Sequence, residues 1–141
     1  MNNITFAIIK PDAVKSGNTG LILDRIIKSD FKILGAKLIR LSRKQAEGFY
    51  DIHKERPFFE ELTEFMCSGQ CMVLALKKEN AVQEWRQTIG STNPEEAESG
   101  TIRKDFAKNI QNNAVHGSDS DENAKKEIAF FFTSSELIAN N

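Results

Sequence analysis

Cys71-Met72-Val73-Leu74-Ala75-Leu76 is a continuous apolar run in a chain of 141 residues. Six apolar residues without period-two alternation are typical of a strand that is buried on both faces. The run therefore predicts a buried strand, the third along the chain.

Three further strands are predicted on either side of this run. Ile4 to Ile9 is apolar and rich in β-branched residues, and Pro11 cannot continue a strand interior. Phe31 to Leu41 alternates well enough to form the second strand, and Ala114 to Gly117 is a candidate short fourth strand.

Helical patterns fill the segments between these strands. Ser42 and Gln45 have the spacing of a capping box, in which a serine side chain and a glutamine three residues later cap the first turn. Apolar stripes predict the other helices within residues 21–30, 57–66, 81–89 and 118–132. The order predicts an α+β fold, a ferredoxin-like α/β sandwich whose four-stranded antiparallel sheet carries packed helices. Residues 1–141 are predicted to form a single domain.

Composition excludes several classes of protein. The net charge is −1 and the pI is near 6.1, without the basic excess of a nucleic-acid binder. No apolar run is long enough to cross a membrane, and residues 1–6 lack a signal-peptide pattern. Cys67 and Cys71 are too few for a disulfide framework or a zinc site, so we expect reduced thiols and a cytoplasmic protein.

Candidate chemistry starts at His116, one of two histidines, where the fourth strand meets the last helix. A neutral imidazole is an available nucleophile or base, Gly117 would leave room for a ligand, and Ser118 adds a hydroxyl. Lys10, Arg86 and Arg103 would form a phosphate clamp if the fold brought them together. Taken alone, His116 is more often a turn histidine, and each of these cations is more often a solvated surface charge. The residues by themselves indicate no more than a candidate phosphate-binding enzyme.

The segment from Ser91 to Asn113 is polar and broken by turn residues. A loop of this length in a compact domain is usually functional or disordered. No P-loop and no dinucleotide-binding glycine fingerprint occurs in the chain.

Five segments of the chain resemble, in the right order, those of nucleoside diphosphate kinases. Asn113-Ala114-Val115-His116-Gly117-Ser118-Asp119-Ser120 is similar to the active-site signature of that family. The other four segments are Ile8 to Val14, His53 to Phe59, Thr92 to Pro94 and Gly100 to Phe106. The resemblance implies a ferredoxin-like fold and transfer of the γ-phosphate of a nucleoside triphosphate, mainly ATP, to nucleoside diphosphates. It also implies a ping-pong mechanism with a phosphohistidine intermediate.

The resemblance assigns a role to each matching residue. His116 would be the nucleophile and Glu127 would hold its second ring nitrogen, with Ser118, Lys10 and Tyr50 also in the catalytic group. Residues implied to bind the nucleotide are Lys10, Phe58, Leu62, Arg86, Thr92, Arg103 and Asn113. Phe58 and Leu62 would contact the base, Asn113 the sugar, and the others the phosphates.

Magnesium is the implied cofactor, and it would arrive on the nucleotide phosphates with Asp119 reaching it through water. The implied partners are nucleoside tri- and diphosphates and further copies of the chain, as a tetramer or a hexamer. Neither a membrane nor nucleic acid is expected as a main partner.

Two other classes of function compete with this interpretation. One is a non-catalytic module of the same fold that binds nucleotides or nucleic acid, which would not need His116 together with Glu127. The other is a phosphohistidine relay protein, which is expected to carry its histidine in the middle of a bundle helix and not at the end of a strand.

Overall fold

A computed structural model describes residues 3–141 of the chain as a four-stranded sheet with helices on both faces. The strands are β1 (Ile4–Ile9), β2 (Lys32–Arg40), β3 (Gln70–Lys77) and β4 (Val115–Gly117). Their order in the sheet is β2-β3-β1-β4, and every neighbouring pair is antiparallel. The predicted ferredoxin-like sandwich is confirmed. Met1 and Asn2, the first two residues of the predicted domain, lie outside the described residues.

Eight α-helices connect and cover these strands in residues 3–141. Their bounds are α1 (Pro11–Lys15), α2 (Thr19–Lys28), α3 (Arg43–Phe49), α4 (Phe59–Met66), α5 (Ala81–Ile89), α6 (Ile102–Phe106), α7 (Asp121–Phe131) and α8 (Ser134–Asn140). A 3-10 turn covers Asp51–His53 between α3 and α4. Helices α1 and α6 were not predicted, because five residues are too few to show a helical period. Helix α8 was also not predicted, although Thr133 and Glu136 form a capping box like that of α3.

The two central strands, β1 and β3, are buried on both faces of the sheet. Ala7 and Ile9 of β1 pack with the core residues of α2 and α5. Phe6 and Ile8, which point to the opposite face, pack with those of α3, α4 and α7. Two helical layers around one sheet explain why β1 and β3 read as continuous apolar runs, since neither face of either strand meets water.

Local caps fix where the helices begin. The Ser42 hydroxyl accepts from the Gln45 N–H, and the Gln45 side chain accepts from the Ser42 N–H, so the predicted capping box is confirmed. The Ser120 hydroxyl accepts from the Asn123 N–H at the start of α7. This cap fixes the start of α7 just after β4 and Ser118.

No helix among residues 3–141 combines the length and the apolar character needed to cross a membrane. Both cysteines are free thiols: Cys71 is buried in β3 and Cys67 is partly exposed at the end of α4.

Candidate active site

His116 lies in β4, directly opposite Ile8 of β1. Paired residues in a sheet point to the same face, so the imidazole joins the layer that holds α7. There its Nε2 atom lies 2.9 Å from Oε1 of Glu127, and the Ser118 hydroxyl donates to the same oxygen over 2.7 Å. A carboxylate only accepts hydrogen bonds, so Nε2 carries the proton and Nδ1 keeps the free lone pair. The geometry leaves Nδ1 as the nitrogen that can react.

Aromatic rings fix the plane of this imidazole. Phe6, Phe49 and Tyr50 all meet it edge to face, with ring centroids 6.0, 5.7 and 6.4 Å away. Burial, with a smaller contribution from the Glu127 charge, raises the pKa of Tyr50 far above its ordinary value. Its hydroxyl is therefore protonated, and it is buried without a hydrogen-bond partner. Tyr50 is therefore a neutral neighbour of the imidazole, and its buried O–H has no acceptor among the described residues.

Lys10 is a buried cation at the end of β1. Its Nζ atom donates to Oδ1 of Asn113 over 2.9 Å, and Asn113 in turn donates to the Thr92 carbonyl at 3.4 Å. These contacts join three segments that are far apart in the sequence. Burial, and then the Arg103 charge, lower the pKa of Lys10 to about 8.

Arg103 lies on α6 and is also buried. Its Nη1 donates to the Gly90 carbonyl at 3.0 Å and its Nη2 to the Val115 carbonyl at 2.9 Å. Its Nε is buried without a partner. Burial, and next the Arg86 charge, lower the pKa of Arg103 to about 10, so it remains cationic at neutral pH. Two carbonyls thus orient a guanidinium that still has N–H groups to offer an anion.

Arg86 and Asp119 line an open cleft of about 1050 Å³ between α5 and the start of α7. Both side chains are exposed. The pKa of Asp119 is lowered mainly by the Asn123 side chain, which donates to it over 2.6 Å, and least by Arg86. Asp119 is therefore an ionised carboxylate close to an arginine at the edge of the site.

Comparison with known proteins identifies the family of this chain. A family model described as nucleoside diphosphate kinase matches residues 3–137. The chain belongs to the nucleoside diphosphate kinase family. The nucleoside diphosphate kinase of Geotalea uraniireducens is 57% identical over 134 residues, which cover 95% of this chain and 98% of that protein.

Solved nucleoside diphosphate kinases also share the fold. The enzyme of Aquifex aeolicus superposes with a TM-score of 0.93 at 43% identity, covering 95% of this chain and 97% of that one. The halophilic enzyme of Halobacterium salinarum, in complex with CDP, gives a TM-score of 0.91 at 34% identity, covering 97% of this chain and 91% of that one.

The kinase resemblance implied that Phe58 and Leu62 contact the base. Phe58 is the residue directly before α4, and Leu62 lies in that helix. Phe58 is 47% exposed, and its ring lies 5.5 Å from that of His53. Leu62 is half-buried on the same helix. Among the described residues, no ring pair, hydrogen bond or ion pair joins these two side chains to His116.

Sequence reasoning missed the element that faces α4. The Gln111 side chain donates to Glu61 over 2.8 Å, which brings the segment before β4 against α4. Next to it Ile110 is 56% exposed. An isolated large aliphatic residue in an otherwise polar loop was the signal that could have singled out this exposed apolar side chain.

Gly117 has a different function from the one expected. A Cβ atom at this position would lie 2.8 Å from Cδ1 of Trp85 and 3.1 Å from Cδ1 of Ile89. The Trp85 indole N–H also donates to the His116 carbonyl at 3.1 Å. Gly117 therefore makes room for Trp85 beneath the strand, and the expectation that it makes room for a ligand is not supported.

Proposed function

We propose that this protein moves the γ-phosphoryl group of a nucleoside triphosphate to a nucleoside diphosphate through Nδ1 of His116. Nδ1 attacks the γ-phosphorus, the bond to the bridging oxygen breaks, and the first nucleoside diphosphate leaves. A terminal oxygen of the second diphosphate then attacks the same phosphorus, and the bond to Nδ1 breaks. The observation that carries the proposal is the hydrogen bond between Nε2 and Glu127, which commits one ring nitrogen and frees the other.

Glu127 would stabilise the positive charge that the ring acquires on phosphorylation. Its carboxylate accepts from both the imidazole and Ser118, so it is fixed before the reaction begins. A preorganised charge of this kind acts most strongly where water is excluded, and both His116 and Glu127 have side chains only 18% exposed.

Lys10, Arg86, Thr92 and Arg103 are proposed to bind the phosphates, and Asn113 the sugar. Support comes from the cations themselves: Lys10 and Arg103 are buried near each other, and among residues 3–141 neither forms an ion pair. Two buried cations that form no ion pair favour a polyanionic ligand.

The base would lie between Phe58 with Leu62 on one wall and Ile110 on the other. These contacts are apolar, and stacking accepts any base, whereas sharp discrimination needs hydrogen bonds to base edges. We therefore expect purine and pyrimidine substrates of both sugar types to be used with modest preference. The CDP complex of the halophilic relative is consistent with a pyrimidine diphosphate in such a site.

Magnesium would enter this site as part of the nucleotide. Among residues 3–141 no three histidine, cysteine, aspartate or glutamate side chains are grouped so that they could hold a metal ion. Asp119, ionised and exposed beside Arg86, would reach the ion through water, and phosphate oxygens would supply most ligands. The bound ion would neutralise phosphate charge.

Exposed apolar side chains and free cysteines bear on the assembly and the compartment of the protein. We propose that residues 1–141 act as one kinase domain that forms a tetramer or a hexamer. Leu21 and Ile27 of α2 and Leu38 of the edge strand β2 are large apolar side chains that are more than half exposed, which favours contact with another subunit. Two free cysteines suit a reducing compartment such as the cytoplasm. Native mass spectrometry gives the subunit count.

The covalent intermediate tests the proposed function. The protein is mixed with γ-labelled ATP and magnesium, separated from nucleotide, and chased with unlabelled GDP. We expect label that is stable to base and labile to acid, as a phosphoramidate is, and that leaves as GTP. His116→Ala should not be labelled, whereas His53→Ala, which removes the only other histidine, should be. Acid-stable label, or label retained by His116→Ala, would refute the mechanism.

A further inference from the structure

Ala114, two residues before the nucleophile, has a strained backbone. Its φ angle is +72°, and the Val115 N–H donates to the Asn113 carbonyl over 2.8 Å, which closes a three-residue turn around it. A γ-turn with positive φ is rare, and an alanine gains nothing locally from adopting it. Contacts from elsewhere in the fold must therefore hold Ala114 in place.

Both backbone groups of Ala114 are held from the start of the chain. Its carbonyl accepts from the Lys10 N–H at 2.8 Å, and its N–H donates to Oδ2 of Asp12 at 3.1 Å. Because Ala114 is fully buried, its N–H would have no replacement partner if the carboxylate were removed. Among residues 3–141, no other side chain forms a hydrogen bond with the backbone of Ala114.

The turn sets the direction of reacting groups on both sides. Before it, Asn113 accepts from the Lys10 ammonium. After it, the Val115 carbonyl accepts from Arg103, and His116 follows in register with Ile8. A change in the turn would therefore shift the buried lysine, the arginine and the nucleophile relative to one another.

We propose that Asp12 is a positioning residue for phosphoryl transfer, whose carboxylate oxygen holds the strained turn at Ala114 so that Asn113 and His116 face the nucleotide. This inference rests on the proposed function, since it assumes that His116 and Lys10 act on phosphate. Asp12 itself touches no reacting group, because Oδ2 is bonded to the Ala114 N–H and Oδ1 is buried without a partner.

A competing role for Asp12 is electrostatic. Its charge raises the pKa of Lys10, although burial and Arg103 outweigh that effect. The two roles differ in what they require of the side chain. Positioning needs an oxygen that accepts from the Ala114 N–H, which an asparagine also has, whereas a counter-ion needs the negative charge.

Two substitutions separate these roles when the single-turnover rate of His116 phosphorylation by ATP is measured beside the melting temperature. Asp12→Ala should slow phosphorylation by roughly 10- to 100-fold, the scale expected from an ångström of misplacement. Asp12→Asn should stay close to the unsubstituted rate. Asp24→Ala, which removes a surface carboxylate paired with Lys28 on α2, is the matched control and should change neither readout appreciably.

A double variant provides a second test in case Asp12→Ala folds poorly. Glycine adopts positive φ without strain, so Asp12→Ala combined with Ala114→Gly should phosphorylate faster than Asp12→Ala alone. The proposal is overturned if Asp12→Asn is as slow as Asp12→Ala, if Asp12→Ala is as fast as the unsubstituted protein, or if Ala114→Gly gives no recovery. Failure of the proposed function would look different, because the unsubstituted protein itself would then lack acid-labile label on His116.

Discussion

Oε1 of Glu127 lies 2.9 Å from Nε2 of His116 and simultaneously accepts a hydrogen bond from Ser118 at 2.7 Å. This oxygen thus sets which nitrogen of His116 carries the proton, and the hydrogen bond from Ser118 holds the oxygen in position. The pair spans β4 and the middle of α7, two elements whose relative position depends on the packing of α7 on the sheet.

Glu127→Gln should keep the phosphorylated intermediate but slow its formation. The amide oxygen still accepts from Nε2, but the charge that stabilises the phosphorylated ring is lost. Hydrogen bonds to charged groups contribute about 1.5–3 kcal/mol, which corresponds to a rate loss of roughly 10- to 100-fold. Rapid-quench labelling measures the rate, and Glu122→Gln, an exposed position on the same helix, is the control. An unchanged labelling rate would show that the charge of Glu127 has no part in the transfer.

Lys10 should impose an upper pH limit on the reaction. Its pKa is lowered to about 8, first by burial and then by Arg103. Lysine is cationic below its pKa, so phosphorylation of the free enzyme, measured as kcat/KM for ATP, should be highest below pH 8 and fall as the pH rises through it. Lys10→Arg, which stays cationic, should lack this fall whatever its absolute rate. A kcat/KM that stays flat to pH 9.5 in the unsubstituted protein contradicts the assignment.

Phe58→Ala should mainly raise KM. Stacking on the base is similar in the ground state and the transition state, so its loss weakens binding with a smaller change in kcat. Steady-state kinetics with two different nucleoside diphosphates measure both constants. Ile138→Ala, a more exposed apolar position on α8, serves as control. A fall in kcat with KM unchanged would place Phe58 in the chemistry and not in base binding.

Arg103→Ala should lower kcat strongly. Removing one preorganised donor from a site of developing charge typically reduces kcat by about 10²- to 10³-fold. Some loss of thermal stability should accompany it, since the side chain also joins the Gly90 and Val115 carbonyls. Arg40→Ala removes a surface arginine that also donates to a carbonyl, that of Ser68, and should leave kcat unchanged. Equal kcat values for the two variants would exclude Arg103 from transition-state stabilisation.

Gly117→Ala should destabilise the fold. The added Cβ would lie 2.8 Å from Trp85, and overpacking of this kind costs about 1–3 kcal/mol. The free energy of unfolding from urea titration tests this. Gly20→Ala meets open space within α2 and should instead stabilise by about 0.5–1 kcal/mol. If both variants unfold at the same urea concentration, Trp85 does not require a glycine.

Apolar runs, alternation and helical stripes predicted the four strands and the long helices, because each pattern follows from which side chains an element buries. The capping box at Ser42 and Gln45 was equally readable, since both of its hydrogen bonds are local. Helix α6 was not predicted and lies inside the segment predicted as a loop. It has only five residues and is held by distant contacts, among them those of Arg103 with the carbonyls of Gly90 and Val115.

The assembly of the site could not be predicted from pattern. Lys10 and Asn113 form a hydrogen bond although they are 103 positions apart in the sequence, and no local pattern around either residue predicts the other as its partner. The positive φ of Ala114 is invisible for the same reason, because alanine has no preference for it and its partners Lys10 and Asp12 lie about a hundred residues away. Only resemblance to a family joined these segments in advance.

The burial of Lys10 and Arg103 has a consequence for the thermal stability of the protein. Burial is the main cause of the lowered pKa of both groups, so enclosing these two cations costs stability of the folded state. If these cations bind phosphate as proposed, a bound polyphosphate would offset that cost and add its own binding free energy to the folded state. The nucleotide-free protein should then melt at a lower temperature than the protein with bound nucleotide, and the difference should grow with nucleotide concentration.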